Sequence, residues 1–442
     1  MTELLIVALG VVALLVLLVG FKFDGFISLI LVAIGVGLAE GLSLAKITTA
    51  IYNGIGGQLK SLILILAFGA MLGKMLSDSG AAQRISGTFI KLFGLKNIQW
   101  AMLLTAFIVG VTMFFEAGFI VIIPIIYTVA AQTKMSLIHV GLPAVIGLSI
   151  THGFLPPHPG PAAVSIAYGA SMGKTLLYGL IIAIPIAIVL SWMFEKLPYM
   201  KKILGSVPEG LAVPKVLKEE ELPGFGVSML VALLPIILMA ISTYADMYMD
   251  KKAPVVGVIH FFGDAPIALL VTVLYSAYSL GVARGRMLED VMKSIGSSVK
   301  GIAMIALVIG AGGAFKEVIV SSGVAVVIKN MTQNLSVSPL VLAWCIAAGI
   351  RLSVGSATVS VITASGIIAP MIATCGVSPE LMVLATSCGS AFTSHVNDAG
   401  FWMYKEFFNL SVIDALKTRS VYTTVLGFLG LLGVLALQAF GL

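Results

Sequence analysis

Thr151-His152-Gly153-Phe154-Leu155-Pro156-Pro157-His158-Pro159-Gly160-Pro161 interrupts a stretch, 137–171, that is otherwise mostly hydrocarbon. Prolines remove amide donors and break a helix. Backbone without partners and ionisable rings persist at membrane depth only where they line a cavity or grip a solute. A second such stretch, Ser394-His395-Val396-Asn397-Asp398-Ala399-Gly400-Phe401-Trp402, stands at the matching place in the second half. Paired interruptions of this kind are the pattern of a secondary transporter, and that is the class the residues favour.

The surrounding composition agrees. Hydrophobic residues make up 59% of the 442 positions and charged residues 10%, with mean hydropathy +1.10. A soluble chain of ordinary composition carries about 25% charge. Apolar runs of helical length without ten-residue alternation predict an all-α, multi-pass membrane protein rather than a barrel. Residues 1–20 have Glu3 as their sole charge and no small-x-small site, so they are expected to be a retained first helix. Cys345, Cys375 and Cys388 lack metal spacing and are expected to be buried filler. No metal or cofactor is expected, and the net charge of +6 fits loop bias without nucleic acid.

The chain repeats itself. Residues 66–82 (LAFGAMLGKMLSDSGAA) align with 309–325 (IGAGGAFKEVIVSSGVA), and Thr151-His152 align with Ser394-His395 at the same offset. The division is therefore 1–196, a charged and proline-containing linker at 197–223, and 224–442. Spans are expected at 3–20, 25–40 and 59–77, matched by 224–243, 259–280 and 298–320. Next come short arms around polar tips: 98–113 and 119–131 flank 114–118, and 337–350 and 359–373 flank 351–358. Arms of that length are too short to cross, which predicts re-entrant hairpins. A broken span (137–171, 379–409) and a final span (174–196, 413–441) complete each half. Five crossings per half is odd, so the second repeat is inverted. Basic residues cluster on the linker's side, Lys22, Arg84, Lys201, Lys202, Arg284 and Arg419 among them, which makes the linker cytoplasmic and puts both termini outside.

The polar tips and breaks supply the candidate site. Arg351 can hold a carboxylate in a forked pair. Ser353, Ser356 and Thr358 add hydroxyls, and Gly355 admits close backbone approach. Thr151, His152, His395 and Asn397 are candidate solute contacts. Glu116, Asp398, His152 and His395 are the candidate proton-coupling groups. His158 either fixes the loop or takes part. Lys74 and Lys316 are expected to snorkel. With one cation in the breaks, the solute expected is a polyhydroxy monoanion; a dicarboxylate would need a second fixed cation.

GFLPPHPGP (153–161), SHVNDAGFW (394–402), FFEAGF (114–119) and RLSVGSATVS (351–360) closely resemble signature stretches of the gluconate permease (GntP) family, and the resemblance runs end to end. It implies proton-coupled uptake of gluconate or a related sugar acid across the bacterial inner membrane. It also implies membership of the ion-transporter superfamily, a homodimer, and an elevator motion of a transport domain against a scaffold. Where the family often has Ser this chain has Ala399, which bears on solute preference. Some members take other small acids, D-serine included. Sodium coupling through Ser356, Thr358, Asn397 and Asp398 is the alternative to protons. An enzyme is disfavoured by the absence of an HExxH motif.

Overall fold

The computed structural model describes residues 2–111, 113–208, 217–249, 253–322, 337–395 and 398–441. The first half holds α1 (Thr2–Leu15), α2 (Gly25–Ala39), α3 (Leu44–Asp78), α4 (Ala81–Phe93), α5 (Ile98–Gly110), α6 (Phe115–Thr133), α7 (Leu137–Phe154), α8 (Pro159–Tyr168) and α9 (Met172–Lys196). After the linker come α10 (Phe225–Tyr248), α11 (Pro254–Gly263), α12 (Ala265–Ser276), α13 (Leu288–Ser297), α14 (Ala303–Ser321), α15 (Pro339–Val354), α16 (Ala357–Ile368), α17 (Pro379–Ser390), α18 (Ala399–Phe407), α19 (Val412–Ala415) and α20 (Val421–Ala439). The described residues contain no strand.

Local chemistry starts these helices where they start. Asp24, Ser43, Ser136, Ser171, Ser356, Ser378 and Asp398 each stand at an N-cap and accept a hydrogen bond from a first-turn amide. The halves then pack in the same pattern with their roles exchanged. α3 runs along α14 at the centre. α2 lies on α14 as α12 lies on α3, α5 on α7 as α15 on α17, and α7 on α9 as α17 on α20. The last spans, α9 and α20, also meet each other. Outward faces such as Ile181, Ile184 and Ile188 of α9 remain apolar and exposed, as a lipid-facing surface requires.

By length and apolar composition, five described helices can cross a membrane: Leu137–Tyr168, Met172–Lys196, Phe225–Ala245, Ala265–Arg284 and Val412–Ala439. Two bent pairs raise the count to seven. The ten crossings expected from the sequence include shorter helices, such as the 15-residue α2, which length alone does not qualify.

Several boundaries differ from the sequence reading. The third span, expected at 59–77, begins at Leu44 because Ser43 caps it, and bends by 42° at its middle. The span expected at 259–280 is divided at Asp264. There α11 packs so closely on α10 that a Cβ on Gly263 would lie 2.9 Å from the Leu238 carbonyl oxygen. α4 and α13 are short helices that the sequence reading left as connections. α4 buries Ala81, Ala82, Ile85 and Phe89 on one face and turns 110° from the following helix. Cys345 is exposed, not filler, while Cys388 is buried. Lys316 does not snorkel: its ammonium donates to the Ala167 carbonyl at the end of α8 (2.9 Å), and Gln58 donates to Ala163 of the same helix (2.8 Å). Lys74 pairs with Asp78 at 2.8 Å.

The end of the linker is docked rather than freely solvated. Gln83 of α4 exchanges hydrogen bonds with the Leu217 backbone (2.8 and 3.0 Å). Arg84 donates to the Pro223 carbonyl (2.7 Å) and to the Glu219 carboxylate (2.6 Å), and Arg284 donates to the Glu221 carbonyl. Arg84, with Lys91 behind it, holds the Glu219 carboxyl below its ordinary value. A group with a lowered folded pKa contributes above its unfolded value and loses that contribution as pH falls through the folded one. Amide hydrogen exchange of residues 217–222, corrected for intrinsic rate, should therefore rise on acidification through the carboxylate range. Arg84→Ala should raise it already at neutral pH and flatten its pH dependence. An exchange pattern indifferent to both changes would remove the ion pair from this docking.

Candidate functional site

Each half makes a hairpin and a broken helix, and the polar residues collect where these meet. In the first hairpin α6 begins at Phe115, so Glu116 lies in its first turn rather than in a loop. In the second, Arg351 lies in the last turn of α15, where a cation also suits the negative end of the helix. The turn itself is Gly355-Ser356. Gly355 has φ +83°, a left-handed conformation open mainly to glycine, and its amide donates to the Arg351 carbonyl at 2.9 Å. The first helix break is Leu155–His158, so Thr151 and His152 remain within α7. The second begins after α17, whose C-cap is Ala391, and α18 starts from its N-cap Asp398; Ser394 and His395 lie in the described part between them.

The N-termini of α6, α8, α16 and α18 converge on this region. Glu116, Pro159, Ala357 and Gly400, from the first turns of those helices, line two adjoining cavities. Helix N-termini present unpaired amides and positive dipole ends, a setting for an anion. The inner cavity, about 260 Å³, is walled by Arg351, Asp398 and Arg419 together with Ser149, Ser394 and Thr423. The outer cleft, about 660 Å³, passes between the hairpins and the central helices and includes Asp24, Gly69, Lys74 and Ser298. Glu116, His152, Ser356 and Thr358 line both.

Asp398 is the hub of the inner cavity. Its Oδ2 accepts from Arg351 Nη2 at 2.6 Å and from the Ser394 hydroxyl, and lies 3.7 Å from Arg419 Nη2. Its Oδ1 caps α18 by accepting the Gly400 amide at 2.9 Å. Arg351 is 4% exposed, yet its Nε and Nη1 have no partner among the described residues. A buried guanidinium with idle donors on a cavity wall is suited to a carboxylate. His152 likewise has an unpartnered Nδ1, and its ring stands 5.3 Å from that of His158. His158 is bound through Nε2 to the Gly110 carbonyl oxygen at 2.6 Å.

The remaining sequence candidates fall elsewhere. The Thr151 hydroxyl donates back to Gly147 and Leu148 within α7 and lines neither cavity. His395 bonds the Leu352 carbonyl oxygen at 3.0 Å, behind Arg351, and is likewise absent from both walls. Asn397 and the side chain of Ser353 lie outside the described residues.

Arg419 is a site residue that the sequence reading did not name as such. Expected only as one of the basic residues of the cytoplasmic side, it is buried, its side chain 6% exposed. It sits in a π-helical turn, Leu416–Ser420, that joins α19 to α20, the kind of irregularity that re-aims a side chain at a site. Its Nε donates to Ser394 (2.8 Å) and its Nη1 to Tyr422 (3.2 Å), while the guanidinium lies 4.7 Å over the Phe115 ring. The signal available in the sequence was its company. Thr418, Ser420, Tyr422, Thr423 and Thr424 supply more hydroxyls than a headgroup anchor needs.

Known proteins match this arrangement along its whole length. The model of the GntP family permeases matches residues 2–440. The high-affinity gluconate transporter of Escherichia coli (strain K12) is 49% identical over 98% of this chain and 99% of its own. The Gnt-II system L-idonate transporter of the same organism is 46% identical over 99% of each. A gluconate permease of Bacillus subtilis (strain 168) is 42% identical over 98% of this chain. Among solved structures, the YdaH transporter of Alcanivorax borkumensis, described as having an unusual topology, superposes with TM-score 0.69 over 94% of this chain and 98% of its own. At 15% identity it speaks for the fold alone. With the family model covering nearly every residue and relatives near half identity, this multi-pass membrane protein belongs to the GntP family of permeases.

Proposed function

We propose that the chain takes up gluconate or a closely related sugar-acid monoanion across the bacterial inner membrane, driven by protons, without chemical change to the solute. The observation that carries this is buried Arg351, which keeps two idle donors and lines a cavity on which helix N-termini converge. The named relatives, which transport gluconate and L-idonate, support the substrate class. In this reading the solute enters by the outer cleft and meets the shared wall of Glu116, His152, Ser356 and Thr358. Its carboxylate engages Arg351 Nε and Nη1, and its hydroxyls take Ser356, Thr358 and, with Gly355 giving backbone access, Ser353 and Asn397. Glu116 and Asp398 carry the coupling proton, with His152 at their junction. The protein works as a homodimer with both termini outside and residues 197–223 in the cytoplasm.

Proteoliposomes should accumulate labelled gluconate when a pH gradient, acid outside, is imposed, and a protonophore should abolish the accumulation. Accumulation that needs sodium at constant pH and survives the protonophore would replace protons with sodium. Asp398→Asn should lose proton-driven accumulation while retaining exchange of internal for external gluconate. Wild-type pH dependence in that variant would move the coupling to Glu116 or His152.

A further inference from the structure

The inner cavity holds more positive charge than the sequence motifs supply. We propose that Arg419 sets the net charge the pocket accepts, leaving the buried wall one positive charge in excess so that a solute with a single negative charge completes it. The inference rests on the sugar-acid reading above and adds a residue and a selection rule to it.

While Asp398 does not hold the coupling proton, the buried charges are Arg351 and Arg419 against Asp398. The other titratable groups on that wall are His152, counted as neutral imidazole, and Glu116, which is exposed and shared with the wide outer cleft. Glu116 is exposed and solvent screens it, whereas the buried side chains of Arg351, Asp398 and Arg419 are screened far less. An uncompensated buried charge is costly, and a matched one is not. A monoanion therefore balances the trio. A neutral polyol or a zwitterion leaves the excess in place, and a dianion overshoots it.

Geometry divides the work between the two arginines. Arg351 keeps two donors idle and can turn them to a carboxylate. Arg419 cannot turn. Ser394 and Tyr422 hold its donors, and Tyr422 is itself bonded to Ser149 at 2.9 Å. Phe115 covers the guanidinium, and Gly400 leaves it room, since a Cβ there would lie 2.6 Å from Nη2. It also stands 3.7 Å from Asp398 Oδ2, a second cation on the carboxylate that Arg351 holds. Arg419 is thus a fixed positive charge and a positioning residue, while Arg351 makes the contact.

The test is charge selectivity in reconstituted protein. Uptake of labelled gluconate is competed by unlabelled gluconate, the corresponding neutral hexitol, the dicarboxylate glucarate and the zwitterion D-serine. The unaltered protein should prefer gluconate over all three. In Arg419→Gln the preference for gluconate over the hexitol should shrink by roughly tenfold or more, because the wall is now neutral. Arg419→Lys should keep the preference while its overall affinity falls. A merely structural arginine would lower the transport rate and leave the ratio alone, so an unchanged ratio in inserted Arg419→Gln overturns the proposal. If that variant does not reach the membrane, Arg419→Lys decides: ratio kept supports the proposal, ratio lost refutes it. Failure of the unaltered protein to take up gluconate would instead refute the sugar-acid reading. The same ratios would then be read from thermal stabilisation by these four compounds.

Discussion

Arg351→Ala should abolish gluconate uptake while the protein still reaches the membrane. Truncating one partner of a buried, hydrogen-bonded charge pair costs about 2–5 kcal/mol, which is roughly 30-fold to a few thousand-fold in affinity. Ordinarily the remaining acid would be stranded and the fold would suffer. Here Asp398 keeps the Ser394 hydroxyl, the Gly400 amide and Arg419 at 3.7 Å, so the loss falls on the solute. Arg351→Lys keeps the charge but loses the fork, and should fall between the two. The measurements are initial uptake rate, apparent affinity and amount of membrane-inserted protein. Normal affinity in inserted Arg351→Ala would take this residue out of carboxylate recognition.

The second large effect is on assembly. α3 and α14 cross backbone to backbone: a Cβ on Gly54 would lie 2.3 Å from the Gly313 carbonyl oxygen, and one on Gly313 would lie 2.4 Å from that of Gly54. Within a bilayer, close approach over small residues is a main source of helix association. Main chain cannot turn aside as a side chain can, so the usual overpacking cost of about 1–3 kcal/mol is a lower bound here. Gly54→Leu should leave little folded protein after solubilisation, measured by size-exclusion profile and thermal midpoint. Gly57→Ala makes the control. Nothing lies within 4 Å of its added Cβ, and alanine is the better helix former by about 1 kcal/mol, so stability should hold or rise. Equal behaviour of the two variants would mean that the crossing is not held by this contact.

Much of this is legible in the sequence because the membrane makes polarity conspicuous. Glu116 between Phe115 and Ala117, or Arg351 after an apolar arm, stands out against hydrocarbon, and both reach cavity walls. Ser356 and Thr358 were found the same way. Placement within the breaks was less legible. Thr151 and Ser394 align in sequence, yet one is inside α7 and the other in a loop, because α7 continues to Phe154 while α17 stops at Ser390. Arg419 was hidden for a different reason. Lys417 and Arg419 near the head of an apolar span read as a charged flank, and only the π turn rotates the second one inward. The helical run before Lys60 is less legible because Gly54, Gly56 and Gly57 lower helix propensity, although Gly54 serves packing against α14.

The bonds from Lys316 and Gln58 to the carbonyls of α8 bear on how the machine can move. They moor the middle and the C-terminal end of α8 to the central pair. Drawing that half-helix away would leave the buried Gln58 amide without its acceptor, at about 1–3 kcal/mol, and the half-buried Lys316 ammonium without its carbonyl. Any movement of α8 against α3 and α14 would therefore either carry the central pair along or cast off both lines together. The second course makes release a single all-or-none event rather than a gradual slide.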